Sequence, residues 1–387
     1  MTTTITKLAA LIALTCSAAT ALAIEAAPLT AMNNDPTTEI AQQQSVFAVK
    51  RSLAKKIALN YATFAPQMKQ QLSQYNLTMD AQQLSSLAIP KSLNLAQANH
   101  VIQQLKGLPN NTDNLLQLRL AHSDMLVDWQ QGKAPLFAFA PQGNDKYWTE
   151  IEAFDQFGQI HILAVDELPQ QPTFIIELDG KKTHQAGLAV MKQILTANQP
   201  QIQAPMMQTQ DTAEPLSTSV LNKIRLNDDE EPWISGAAEV YGIVTGIEPS
   251  RDKPILDVVD LPYLDHDKTD YYPNQVLIHW QRYRWQAVDL LLMEQDDNTN
   301  YKTLASKLLE IAEQIMRTIP DPQVQGYAII PKLTNELIKA MPDGWFTNDD
   351  DYLDVFYTLF ENQNYHDHRG ASSNATITLT PLTINPR

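Results

Sequence analysis

The sequence has almost no cysteine: one residue, Cys16, in 387. That excludes a disulfide framework and a thiolate metal site. Glycine is scarce too, at 12 residues, so backbone cradles for phosphate have little to be built from. Basic residues are outnumbered, with 28 Lys+Arg against 44 Asp+Glu and a formal net charge of −16. A surface of that sign does not suit nucleic acid, and no nucleic-acid partner is expected. No apolar run reaches the length that spans a bilayer, so no transmembrane segment is expected in the mature chain. The HExxH zinc motif, the GxSxG nucleophile elbow and the GxxxxGK[ST] phosphate loop are all missing.

What is present begins with a leader. Lys7 precedes the apolar stretch Leu8–Leu14, and Ala21 and Ala23 flank Leu22 in the A-x-A pattern that signal peptidase reads. Residues 1–23 therefore read as a secretory signal, and the protein as secreted, extracellular or periplasmic. Cleavage after Ala23 removes Cys16 as well, and with it any cysteine nucleophile.

The remainder has the hydrophobic content, 44 %, to fill ordinary cores, and at roughly 100–200 residues per domain it has room for two. Residues 24–43 read as a flexible lead-in. Val46, Val49, Leu53, Ile57, Tyr61 and Phe64 step by threes and fours, which predicts a helix that Pro66 ends. Further helices are predicted around Leu95–Leu105 and Asn114–Trp129. Short β-branched and aromatic runs at 135–140, 147–154, 159–165 and 173–178, separated by turn residues, predict a small antiparallel sheet. The domain 44–196 is then α+β. Residues 197–230, rich in Gln, Pro and Thr over their first part, read as a linker. In 231–387, strands are predicted at 237–247, 255–261, 276–280, 285–293, 352–361 and 375–384, with helices at 301–319 and 326–340. This describes a β-sandwich-like domain with inserted helices.

Three acidic segments fall at strand ends: Asp260–Asp270, Glu294–Asn300 and Asn348–Asp354. If they meet in space, a hard cation would offset their mutual repulsion, because Ca²⁺ takes six to eight oxygen ligands. Asp265, Asp267, Asp270, Glu294, Asp296, Asp297, Asp350 and Asp351 are the candidate Ca²⁺ ligands. Alternatively each segment is a solvated turn, since Asp and Asn form turns readily. The segments are not EF-hands: counting from Asp265 puts Asp270 where Gly is required and Val276 where a bidentate Glu is required.

The spacing Asp265-x4-Asp270 before Tyr271-Tyr272-Pro273, and Glu294-Gln-Asp296 after an apolar run, resembles the acidic loops of a C2-type calcium-binding β-sandwich. That resemblance implies carboxylates sharing calcium at one end of the sandwich. More broadly, the stretches WISGAAEVYGIVTGI, VVDLPYLDHDKTDYYPNQVLIHW, MEQDDNTNYKTLA and NDDDYLDVFYTLFE resemble a secreted bacterial family known only as a domain of unknown function. That resemblance implies no catalytic role.

Two functions follow as expectations. The first is a secreted, calcium-stabilised binding or interaction protein whose acidic rim engages a cell surface, a lipid headgroup or a glycan. The alternative is a secreted metal-dependent hydrolase that adds His366 and His368, an H-x-H pair that would face one side of a regular strand. The aromatic residues Tyr271, Tyr272, Trp280, Tyr283 and Trp285 fit either a sugar or lipid platform or an ordinary core.

Overall fold

The computed structural model describes residues 45–87, 93–143, 147–197, 214–228, 232–236, 239–249, 253–294, 299–318, 326–340 and 352–386. The expected signal segment and lead-in lie outside these residues, as do Asp296, Asp297, Asp350 and Asp351. Residues 41–387 make one compact unit.

Helix α1 (Val46–Gln71) starts at Ser45, whose side chain accepts a hydrogen bond from the Ala48 amide. Leu53, Ile57, Tyr61, Phe64 and Met68 form its buried stripe. The break expected at Pro66 does not occur. Pro66 sits on the solvent side of the helix together with Ala62 and Thr63, so the carbonyl that loses its partner there is not trapped in the core.

Next come β1 (Thr78–Asp80), α2 (Ala81–Ser86), α3 (Leu95–Leu105), β2 (Leu116–Leu120) and α4 (Met125–Gln130). The helix expected over 114–129 is thus a strand and a short helix. Leu116, Leu118 and Leu120 are buried while Gln117 and Arg119 are half-buried, the period of two that marks a strand. Strands β3 (Leu136–Ala138), β4 (Glu150–Phe154), β5 (Ile160–Ala164) and β6 (Thr173–Leu178) complete a six-stranded sheet ordered β1-β2-β6-β3-β4-β5. All its pairings are antiparallel except β3 with β6. Helix α1 lies over β6, β3 and β4, which leaves β5 at the edge.

Helix α5 (Gly180–Thr196) was not expected. Its N-cap is Asp179, which accepts from the Lys182 amide at 3.1 Å. A methyl group at Gly187 would overlap the Tyr301 ring, so this glycine permits close approach to α6 (Tyr301–Thr318). Asn300 ties two helix ends together: its amide nitrogen donates to the Leu105 carbonyl at 2.7 Å, and its oxygen accepts from the Thr303 amide at 3.0 Å.

Strand β7 (Leu216–Leu226) lies in the segment that composition assigned to the linker. With β8 (Val240–Ile247), β9 (Pro254–Asp260), β10 (Gln275–His279), β11 (Ala287–Glu294), β12 (Tyr352–Phe360), β13 (Tyr365–Arg369) and β14 (Ala375–Ile384) it builds two four-stranded antiparallel sheets. Their orders are β10-β7-β14-β13 and β12-β11-β8-β9. Leu221, Ile224, Ile255, Leu290, Phe356 and Ile377 fill the space between them. The opposite face of the second sheet, with Ile243, Leu256, Leu291 and Met293, shares a core with residues of α5, α6 and α7 (Ile329–Ala340). Pro331 stands in the first turn of α7, where the missing amide costs nothing. The architecture is the expected α+β one: a helical front with a small sheet, then a β-rich part with packed sheets and inserted helices.

Candidate binding surface

The first acidic segment connects β9 to β10 and runs along the edge of β7, in line with β10. Tyr271 clips it to β7 through two backbone bonds, Ile224 N to Tyr271 O at 3.0 Å and Tyr271 N to Ile224 O at 2.9 Å. The Tyr271 hydroxyl accepts from the His266 amide at 3.0 Å. Lys268 adopts a positive φ of 54° and its amide donates to the Leu226 carbonyl at 2.7 Å.

Asp267 and Asp270 find basic side chains. Asp270 Oδ2 lies 3.3 Å from Lys223 Nζ, and Oδ1 lies 3.7 Å from Arg225 Nη1. Asp367 Oδ1 lies 3.2 Å from the same lysine. Asp267 pairs with its neighbour Lys268. The hydrogen bonds to Asp367 and Asp270 raise the Lys223 pKa above its ordinary value.

These contacts correct the calcium reading. Among the described residues, no group of three or more His, Cys, Asp or Glu side chains could hold a metal ion. Asp265, Asp267 and Asp270 share the β9–β10 segment, while Glu294 ends β11 in the other sheet with its side chain buried. Repulsion within the first segment is relieved by lysine and arginine from β7 and by Lys268, so no cation is required there. The calcium-stabilised protein, its C2-like cation rim and the metal-dependent hydrolase on the same acids are all overturned.

The histidine pair fails for a backbone reason. Asp367 has a φ of 44°, and the β13–β14 register shifts between Tyr365 and His368. This bulge breaks the period of two. The His366 side chain is 85 % exposed, whereas His368 packs beside the Tyr365 and Phe356 rings with centroids 5.2 and 5.9 Å away. Two other groups look catalytic on paper. His184 of α5 meets Asp260 of β9, Nε2 to Oδ1 at 3.0 Å, but the histidine is only 3 % exposed, so this pair fastens helix to sheet. Asp289 of β11 is fully buried beneath α7, and no hydrogen bond reaches its Oδ2. Burial pushes its pKa up to about 6, opposed by bonds from the Thr358 amide and the Thr334 hydroxyl.

Leu216, Leu382 and Ile384 are exposed where β7 begins and β14 ends, while farther along the two strands the side chains are polar and mutually braced. Asn222 Nδ2 donates to Asn274 Oδ1 at 3.1 Å, and Thr380 Oγ1 donates to Asn222 Oδ1 at 2.7 Å. The Asp367 amide donates to Thr378 Oγ1 at 3.1 Å. Tyr272, between the Tyr271 clip and Asn274, is 65 % exposed. Trp280 and Tyr283 are buried in the sandwich core, which leaves Tyr272 as the protruding aromatic of this segment. Lys223, Arg225 and Asn222 escaped the sequence reading because they lie in the supposed linker. The alternation of IRL at the end of β7 was the available signal.

A family model described as a protein of unknown function (DUF3103) matches residues 50–387. The chain belongs to the DUF3103 family. The match takes in every strand of the structure, so the outer face just described is part of the DUF3103 region. No curated protein and no solved structure matches the chain. Among its described residues, no helix is long and apolar enough to cross a membrane.

Proposed function

We propose that this DUF3103 member is an exported, metal-independent binding protein that takes a neutral glycan on the outer face of the β10-β7-β14-β13 sheet. The observation that carries the reading is Tyr272, protruding beside a row of paired polar groups: Asn222 with Asn274, and Lys223 between Asp270 and Asp367. An exposed tyrosine offers an apolar ring face and a polar tip. The amides and ion pairs beside it supply both donors and acceptors, in positions fixed before a ligand arrives. Sugar rings present the matching chemistry, with C–H faces and hydroxyl edges. Opposite charges are balanced within the row, which favours a neutral glycan over a charged lipid headgroup. Export is supported by the A-x-A pattern at Ala21–Ala23.

The test is affinity electrophoresis and calorimetry against a panel of neutral polysaccharides, with anionic and zwitterionic vesicles alongside. Retardation by at least one neutral polysaccharide is expected, with affinity falling about tenfold in Tyr272→Ala, or ~1.4 kcal/mol. Retention on vesicles alone, or unchanged binding by Tyr272→Ala, would overturn the reading.

A further inference from the structure

Strand β5 ends the six-stranded sheet. It pairs with β4 over five uninterrupted rungs, Ile160 opposite Phe154 through Ala164 opposite Glu150. Among the described residues no strand pairs with its other edge, where the Trp233 indole nitrogen donates to the Ala164 carbonyl at 3.2 Å. Edge strands normally carry a proline, a lysine or a bulge that deters further pairing, and β5, with the sequence IHILA, has none of these.

Its side chains are unusual for an edge. Ile160 and Ile162 are 55 % and 57 % exposed. They share a face with Phe154 and Glu152, the side on which α1 lies: Arg51 bonds Glu152, and Arg51 and Lys55 sit over the Phe154 ring. The sheet thus extends one apolar strand beyond the helix that covers it. Leu59 of α1, 51 % exposed and packed against Gly158, and Phe157, 72 % exposed, continue the patch at the start of β5. Charge is divided between the two ends of the strand. Lys55 and Lys56 flank the Ile160 end, and the exposed Asp166 and Glu167 follow the Ala164 end.

We propose that β5 pairs antiparallel with β5 of a second copy of this chain, about a two-fold axis at Ile162. That register sets Ile160 of one copy opposite Ala164 of the other, where the Ile160 amide takes the Ala164 carbonyl from the Trp233 indole. The two isoleucine pairs then form one strip between two α1 helices. It also brings Lys55 and Lys56 of each copy towards Asp166 and Glu167 of its mate, so the charge division becomes self-complementary, as an isologous interface requires. A net charge of −16 opposes self-association, which makes this local matching the specific reason for a second copy rather than an unrelated strand.

The experiment is sedimentation velocity on the full chain across a concentration series, with melting temperature measured in parallel. The wild type is expected to dimerise. Ile162→Lys, which installs the missing edge charge on an exposed side chain, is expected to raise the dimer dissociation constant tenfold or more and to leave the melting temperature unchanged at concentrations where both proteins are monomeric. A monomeric wild type at 100-fold above ~1 μM, or a dimer untouched by Ile162→Lys, would overturn the proposal. Register is tested by charge reversal. Lys55→Glu with Lys56→Glu, and Asp166→Lys with Glu167→Lys, should each weaken the homodimer, while the two variants mixed should form a heterodimer. Absence of that heterodimer overturns the antiparallel register.

Discussion

Asp354 and Asp289 lie on adjacent, paired strands of one sheet, and both are fully buried. Their surroundings differ. Asp354 accepts three backbone bonds, from Val355 at 2.8 Å, Ser372 at 2.9 Å and Ala375 at 2.7 Å. Ser372 belongs to the turn before β14 and Ala375 opens β14, so the carboxylate pins one sheet of the sandwich to the other. Gly370 leaves no room for a side chain above it. Asp289, under α7, accepts the Thr358 amide at 2.7 Å through Oδ1, while no hydrogen bond reaches Oδ2. A buried carboxylate fixed by several amides is a structural anchor. One with fewer donors carries a desolvation cost that grows once it ionises.

The sharpest way to break the comparison is the same substitution at both sites. Asp354→Asn exchanges one acceptor for an NH₂ group that faces a backbone N–H, and it weakens the remaining bonds by removing the charge. A loss of about 3 kcal/mol is expected in denaturant unfolding. A loss under about 1 kcal/mol would mean that the three bonds do not hold the sheets together.

Asp289→Asn should act in the opposite direction. The folded state keeps the Asp289 proton up to about pH 6, whereas the unfolded chain releases it near 3.8. Between those values the folded state binds more protons, so stability falls as pH rises, and the full penalty is present above about pH 6. Asn keeps the acceptor for the Thr358 amide and removes the charge whose burial is penalised. The variant is expected to be about 1–2 kcal/mol more stable than wild type at pH 8 and to lose the slope between pH 4 and 6. Equal slopes in the two proteins would show that Asp289 is not the group that titrates.

The same contrast explains what was legible in the sequence. Strand and helix limits are sharp where a pattern is local. Thr173–Leu178, Ala375–Ile384 and Leu95–Leu105 fall where alternation or three-four spacing puts them. β7 was hidden because the Gln, Pro and Thr run just before it coloured the window, although SVLNKIRL itself has strand character. Helix α5 was missed because Lys181, Lys182, His184 and Gln185 dilute its apolar spacing. The acidic segments were conspicuous, yet a run of acids does not encode what faces it. Lys223 and Arg225, which neutralise Asp270, come from β7, more than forty residues earlier. Asp354 shares a run with Asp349, Asp350 and Asp351, but its burial and its three amide partners arise only when β12 meets the turn before β14. Tertiary partners decide whether an acid is a ligand, an anchor or a solvated turn.

Thr334→Val sharpens the comparison with the smallest change. Thr334 Oγ1 lies 2.6 Å from Thr245 Oγ1, both residues are fully buried, and its hydroxyl is one of the two groups that hold the Asp289 pKa down. Valine preserves the shape and removes that hydroxyl, so Asp289 retains only the Thr358 amide among these two. Two effects are expected in a stability profile taken from pH 3 to 9. The upper inflection should move above about 6, because ionised Asp289 has lost a donor. Stability at neutral pH should fall by about 1 kcal/mol, the usual net worth of one buried hydrogen bond. In the Asp289→Asn background the inflection should be absent and the remaining cost should reflect the Thr245 hydroxyl alone. An upper inflection that stays in place in Thr334→Val would mean that Thr334 serves Thr245 and not the carboxylate, and the contrast with Asp354 would then rest on the Thr358 amide alone.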